Sequence, residues 1–454
     1  MGLGFTGLKT LVNVYDEHGG IRRGLKKVYG YGNLKKDPRG ILDLPDGFTY
    51  QVISKVGDQM DDGLLVPGLA DGMATFPGPD GRIIIVRNHE ISPHDVKNGA
   101  YGEQFELIEK VPRHKIYDFG RGKTPCLGGT STIVINPTTL EVEKQFLSLA
   151  GTIRNCAGGK TPWNSWLSCE EAVDRAGAIL EKDHGYNFEV PATSDISLAD
   201  PIPIRAMGRF YREAVSVDPR TGIVYQTEDR PDGLIYRYIP NTYGKLHDGG
   251  KTQVLGIKGI KSADTRNWSY SKWSMKAEKP YPVQWYDIDD LQSPKDDLRY
   301  RGHAEGAAVF ARGEGMWFGD NVVYFACTNG GRRGLGQIFK YTPSPHEGTE
   351  EEKRHPGKLE IFVESINSRM LESCDNVTVA MNGDLVVCED KRNPRIVGVT
   401  PEGHLYHLAE NVGYSSEFAG ATFSPDGQVL FVNIQGPGLT LAISGPWNLS
   451  KGEG

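Results

Sequence analysis

The chain has 454 residues, with 51 Lys and Arg against 58 Asp and Glu, for a formal net charge of −7. That balance, with no dense basic run, lacks the phosphate-neutralising charge of a general nucleic-acid binder. The 57 Gly and 27 Pro make the chain turn-rich, yet 38% apolar and 9% aromatic residues are too many for a disordered one.

No stretch approaches the ~18–20 uninterrupted apolar residues of a membrane span. Residues 1–9 hold neither a basic leader nor a long apolar core, so no export signal is visible. The six cysteines are too sparse for a disulfide scaffold.

In chain order, residues 1–45 read as an N-terminal arm, with a short helix and a Gly/Lys-rich stretch, packed on the main domain. Short β-branched or aromatic runs follow at 82–86 (RIIIV), 131–135 (STIVI), 222–227 (GIVYQT), 321–326 (NVVYFA), 384–387 (DLVV) and 428–433 (QVLFVN), each predicted to be a strand. Between them lie hairpin signals such as Pro79-Asp80-Gly81, Asn382-Gly383 and Ser424-Pro425-Asp426-Gly427. There Pro presets the turn torsion and Gly supplies a positive φ. Residues 257–300 are aromatic-rich and weakly periodic, an insertion that either decorates the fold or walls a site. Residues 343–357 read as an exposed polar loop.

Many up-and-down strands and little helical periodicity predict an all-β fold. The expected form is a six-bladed β-propeller with inserted loops and short helices, filling 46–454 as one domain; a pair of β-sandwiches is the lesser alternative.

Acidic residues recur at predicted strand ends: Glu90, Glu170 and Glu171, Glu213, Glu228 and Asp229, Glu305, Glu314, Asp375 beside Asn376, Glu389 and Asp390, and Glu417. Any one alone reads as solvated surface. As a set flanking core strands they would repel one another unless cations hold them, and a propeller gathers inner strand ends on one axis. Such oxygen ligands suit Ca²⁺, and carboxylates with a thiolate suit ferric iron. Cys169 and Cys388 share a Cys-acid-acid context; residue pattern leaves both open, and a lone Cys is commonly an inert core residue. The chain has no Walker loop, no G-x-S-x-G elbow and no zinc spacing of histidines. The glycine-rich basic stretch 330–336 reads as a loop able to meet an anion.

Taken together, Arg87-Asn88-His89-Glu90, the run 151–171 (GTIRNCAGGKTPWNSWLSCEE), Glu213-Ala214, Glu228-Asp229, Arg312-Gly313-Glu314, Asp375-Asn376, Cys388-Glu389-Asp390 and 417–433 (EFAGATFSPDGQVLFVN) resemble the PhoX-type alkaline phosphatases. The resemblance implies a decorated six-bladed propeller that hydrolyses phosphate monoesters at a cluster of two ferric and three calcium ions, with a metal-bound oxygen as nucleophile. It implies Cys169 as the iron-bound thiolate. The metal ligands it implies are Glu90, Glu170, Glu171, Glu213, Glu228, Asp229, Glu305, Glu314, Asp375, Asn376, Glu389 and Asp390. Arg312 and Asn155 are the expected phosphate-binding residues. Arg212 stands where a histidine often precedes the glutamate.

The resemblance further implies a folded, Tat-exported monomer in the periplasm or outside the cell, acting on small phosphate esters. Two other readings stay open: a Ca²⁺-dependent propeller lactonase or esterase, and a non-catalytic, calcium-stabilised binding module.

Overall fold

The computed structural model describes residues 29–271, 273–277 and 279–447, together with the short strands Val14–Tyr15 and Ile21–Arg22. Apart from those two strands, residues 1–28 of the predicted arm lie outside the described residues. The arm shows no helix among its described residues. Its strands Leu34–Lys35 and Leu42–Pro45 extend the outer edge of a blade.

Six antiparallel meanders surround one axis, each entered through its innermost strand. The inner strands are Ala70–Pro77, Asn155–Lys160, Arg212–Val217, Gly313–Gly319, Cys374–Val379 and Phe418–Phe423, for blades 1 to 6. Each touches the next, and the sixth returns to the first, closing a ring. Blade 6 takes its outer strand, Thr49–Lys55, from the other end of the chain, pairing Leu441 with Val52. The predicted strand runs all fall in these meanders.

The hydrogen-bonded sheets of the propeller number five where six blades would give six. Strand Tyr281–Asp287, from the predicted insertion, pairs with Gly250–Ile257 of blade 3 and with Lys358–Glu364 of blade 4, joining the two into one nine-stranded sheet. The insertion leads on to the helix Leu298–Glu305.

Blade strands are apolar nearly throughout because both faces are covered. In blade 6, Leu430, Val432 and Ile434 pack toward blade 5, while Val429 and Phe431 pack toward Ile83, Ile85 and Ile133 of blade 1.

All six inner strands carry a register shift at their start, between Ala70/Met73, Asn155/Gly158, Arg212/Val215, Gly313/Met316, Cys374/Val377 and Ala419/Thr422. A bulge re-aims a side chain out of the pleat. The residue after the first of each pair is Asp71, Cys156, Glu213, Glu314, Asp375 or Gly420. The backbones crowd here. A Cβ on Gly315 would stand 2.6 Å from Asn376 Cα, and one on Gly72 would stand 2.5 Å from Ala157 Cα.

Gly315→Ala is therefore expected to push blades 4 and 5 apart and cost about 1–3 kcal/mol, the range for overpacking. Thermal or denaturant unfolding reads this directly, and an unchanged midpoint would contradict the close approach.

Candidate functional site

The six bulges build a layered ring at the axis end where inner strands start. The bulge residues form one layer. A second comes from the residue that follows each blade's second strand: Glu90, Glu171, Asp229, Thr328, Asp390 and Gln435. A third lies two residues before each bulge residue: Leu69, Arg154, Tyr211, Arg312, Ser373 and, in the sixth blade, Glu417 a residue further out. The second and third layers are tied alike in every blade. The N–H of the second-layer residue donates to the carbonyl of the third-layer residue, at 2.9–3.3 Å. Four of those third-layer residues are left-handed: Leu69, Arg154, Arg312 and Ser373, with φ between 44° and 53°.

The layers bring nine carboxylates and a thiol together: Asp71, Glu90, Glu171, Glu213, Asp229, Glu314, Asp375, Asp390, Glu417 and Cys156. Ligand atoms of Asp71, Glu90 and Cys156 lie within 4.8 Å of one another. The same holds for Cys156, Glu171 and Glu213, and for Glu213, Glu314 and Asp375. Both oxygens of Glu213 are buried with no hydrogen-bond donor, as is Oδ1 of Asp71.

Burial, then the repulsion of Glu314, Glu171, Asp375 and Asp71, pushes the Glu213 carboxyl well above the usual range. Asp71, Glu171 and Glu314 are raised for the same two reasons. Asp375 is pushed up to about 7 and Glu417 to about 11 by burial and their acidic neighbours. Burial and then Asp71 hold the Cys156 thiol well above its usual value.

Two guanidiniums answer this charge. Arg312 Nε and Nη2 donate to Asp229 at 2.8 and 3.0 Å, and Nη2 also meets Glu314 Oε1 at 3.0 Å. Arg154 Nη2 meets Glu90 Oε1 at 2.6 Å and also pairs with Glu171. Gln435 donates to Asp71 and Glu90 at 2.6 and 2.9 Å.

Of the predicted residues, Glu90, Glu171, Glu213, Asp229, Arg312, Glu314, Asp375 and Asp390 meet here. Asn376 borders the cluster, donating to Asp375 at 3.1 Å and accepting from the Gly420 N–H. Six others stand elsewhere. Glu170, Glu228 and Glu389 each precede a second-layer residue and face into the blade. Glu170 accepts from the N–H groups of Ile153, Gly185 and Tyr186 and bonds His184 Nδ1 at 2.6 Å. Glu228 accepts from Leu234 N–H and the Tyr236 hydroxyl. Glu389 accepts from Arg395 and from Glu372 N–H. Glu305 is exposed at the end of the helix Leu298–Glu305.

Asn155 is buried between the Thr152 and Ser168 hydroxyls at 2.6 and 2.8 Å, away from the mouth. Cys169 is buried in the core beside Leu167, Met207 and Val215. Its thiol contacts Asn187 Oδ1 at 3.0 Å, and burial raises it to about 12. Arg212 also points inward, donating to the carbonyls of Gly185, Met207 and Gly208.

Sequence reasoning missed Asp71, Cys156 and Arg154. For Cys156 the signal was a spacing: 171 − 156, 390 − 375 and 435 − 420 each equal 15, with 16 from Glu213 to Asp229 and 14 from Glu314 to Thr328, whereas the 19 from Asp71 to Glu90 breaks it and left Asp71 without that signal. That interval from bulge residue to second-layer residue selects Cys156, where Cys169 sits only two residues before Glu171.

A family model described as "Alkaline phosphatase PhoX" matches residues 29–136 and 128–438. The solved structure of Pseudomonas fluorescens PhoX in complex with vanadate, a transition state analogue, is similar at TM-score 0.66 and 17% identity, over 92% of this chain and 98% of that one. XC5397 of Xanthomonas campestris, a gluconolactonase, matches at TM-score 0.41 and 11% identity, over 92% and 99%. No curated protein matches.

The raised carboxyls set a pH dependence for the metal-free fold. Each holds its proton more tightly folded than unfolded. Their favourable contribution is complete below the ordinary carboxyl range and is lost as pH rises through Asp375's value of about 7 toward Glu417's of about 11. Chelator-treated protein should therefore lose thermal stability steadily between about pH 5 and pH 9, and added cations should remove the slope. Equal, flat profiles with and without chelator would rule out uncompensated repulsion at the axis.

Proposed function

The chain belongs to the PhoX alkaline phosphatase family, and from that premise we propose that it hydrolyses phosphate monoesters at the axial cluster. The observation that carries this reading is Glu213, whose two carboxylate oxygens are buried on the axis without a single donor. Nine carboxylates converge there against the Arg154 and Arg312 guanidiniums. A polypeptide leaves buried anions so only where cations complete them.

The donor set fits hard metal ions with one softer position. Cys156, with Asp71, Glu90, Glu171 and Glu213, has the thiolate and carboxylates that suit iron. Glu213, Asp229, Glu314, Asp375 and Asp390 offer oxygen alone, which suits calcium. The thiolate role that the resemblance implied for Cys169 thus passes to Cys156. Bound there, such cations supply the Lewis-acid charge that phosphoryl transfer requires.

The chain's own groups orient the ester. Asp229 and Glu314 hold Arg312 by Nε and Nη2, leaving Nη1 without a hydrogen-bond partner among the described residues at a side chain 34% exposed. A guanidinium so fixed donates to phosphate oxygens with little further loss of freedom. The half-buried Tyr211 ring, between the two arginines in the third layer, lies beside Arg230 at 4.1 Å.

The proposed substrates are small phosphate esters, and the proposed setting is the periplasm or cell exterior, with the protein acting as a monomer. No helix among the described residues is long and apolar enough to cross a membrane.

Elemental analysis and p-nitrophenyl phosphate turnover at alkaline pH test this on wild type, Cys156→Ala and Cys169→Ala. Wild type should carry iron and calcium. Cys156→Ala should lose iron and turnover together, by more than the about 10–100-fold that loss of an outer-shell partner costs. Cys169→Ala should keep both. An iron-replete, fully active Cys156→Ala protein would sink the assignment.

A further inference from the structure

Arg154 duplicates Arg312. The two occupy equivalent third-layer positions in blades 2 and 4, with φ of 44° and 53°. Their carbonyls accept from Glu171 and Thr328 N–H at 2.9 and 3.1 Å. Each guanidinium pairs with two cluster carboxylates, Glu90 and Glu171 for Arg154, Asp229 and Glu314 for Arg312. In each, Nη1 has no hydrogen-bond partner among the described residues, and the side chains are 32% and 34% exposed.

The two arginines flank Glu213. The ligand atoms of Glu171, which Arg154 grips, and of Glu314, which Arg312 grips, both lie within 4.8 Å of Glu213's. Between them, in blade 3, stands Tyr211, with the Arg154 guanidinium 5.9 Å from its ring centre. The remaining third-layer positions are Leu69, Ser373 and Glu417, none of them cationic. Positive side chains in this layer thus fill one arc of the mouth, in blades 2 to 4.

A phosphomonoester dianion presents three non-bridging oxygens around one phosphorus. One guanidinium can bond one edge of that group, and a second from the far side can take another oxygen. Resting on the phosphatase reading above, we infer that Arg154 is a second substrate-binding residue. It donates from Nη1 to the same phosphoryl group that Arg312 holds, so that the pair clamps the group over Glu213.

The test measures inhibition by inorganic phosphate, KM and kcat for p-nitrophenyl phosphate, and iron and calcium content, on wild type, Arg154→Gln and Arg154→Lys. A charged hydrogen bond lost from a bound phosphate weakens binding by about 10–100-fold. Arg154→Gln should raise both the phosphate inhibition constant and KM by that factor at unchanged metal content. Arg154→Lys keeps the charge against Glu90 and Glu171 but not the planar fork, so it should fall between. If the glutamine variant does not fold, the lysine variant decides by the same comparison.

Phosphate affinity within twofold of wild type overturns the inference, and so does a loss of metal that accounts for the whole effect, since Arg154 would then only position the cluster. Wild type that carries metal but neither binds nor hydrolyses phosphate sinks the phosphatase reading and this inference together. Active wild type with indifferent variants sinks the inference alone.

Discussion

Mutual repulsion among carboxylates buried on one axis is the constraint around which this molecule is arranged. Taking one such anion out of water costs several kcal/mol even after relaxation (roughly, per ion). Nine of them face two arginines, and Glu213 at the centre has no donor at all. A fold can keep such a group only by making the surrounding scaffold stiff and leaving room for charge to enter. The closed ring of inner strands supplies the stiffness, because no blade can retreat without its two neighbours.

The device that aims the anions is the bulge repeated at the head of every inner strand. In a regular pleat the residue at each bulge would turn into the packed faces between blades. With one residue extra, Asp71, Cys156, Glu213, Glu314 and Asp375 turn to the axis, and the small residues beside some of them, Gly72 and Gly315 among them, let adjacent backbones approach. The sixth blade breaks the pattern. It places Gly420 at the bulge and Gln435 in the second layer, where the amide bridges Asp71 and Glu90. Asn433 of that blade also donates to the carbonyl of Asp71 at 2.6 Å. Blade 6 is where the two ends of the chain are zipped together, and its bulge and second-layer positions contribute neutral groups, with Glu417 as its one acid in the cluster.

Much of this was readable in advance. Alternating apolar runs and Pro/Asn-Gly turns marked the blades, and acidic residues at strand ends marked the axis. What escaped was which of two adjacent carboxylates faces inward. In Glu170-Glu171, Glu228-Asp229 and Glu389-Asp390 the first caps backbone N–H groups inside the blade and the second turns to the axis, and composition treats them alike. The thiol of the cluster, Cys156, escaped for a related reason. Cys169 stands in an acidic sequence context, but it lies on a second strand whose side chain enters the core. Cys156 has Asn and Ala for neighbours and reaches the acids only through a bulge that local sequence does not announce. The joined sheet of blades 3 and 4 was equally hidden, because Tyr281–Asp287 lies in a segment whose aromatic residues follow no clear period.

The broken symmetry also gives the site a direction. Charge in the third layer is divided between a cationic arc, Arg154 and Arg312 on either side of Tyr211, and an arc of Ser373, Glu417 and Leu69. On the second arc, burial and the neighbouring Asp375 and Asp390 raise the Glu417 carboxyl to about 11, so without cations it keeps its proton through neutral pH. Under the proposed reading, guanidinium donors for a dianion stand on the arc of blades 2 to 4, while the acids of the cluster come from every blade. The two arginines hold two of the four left-handed positions, Leu69 and Ser373 the others, so the guanidiniums pair with Glu90, Glu171, Asp229 and Glu314.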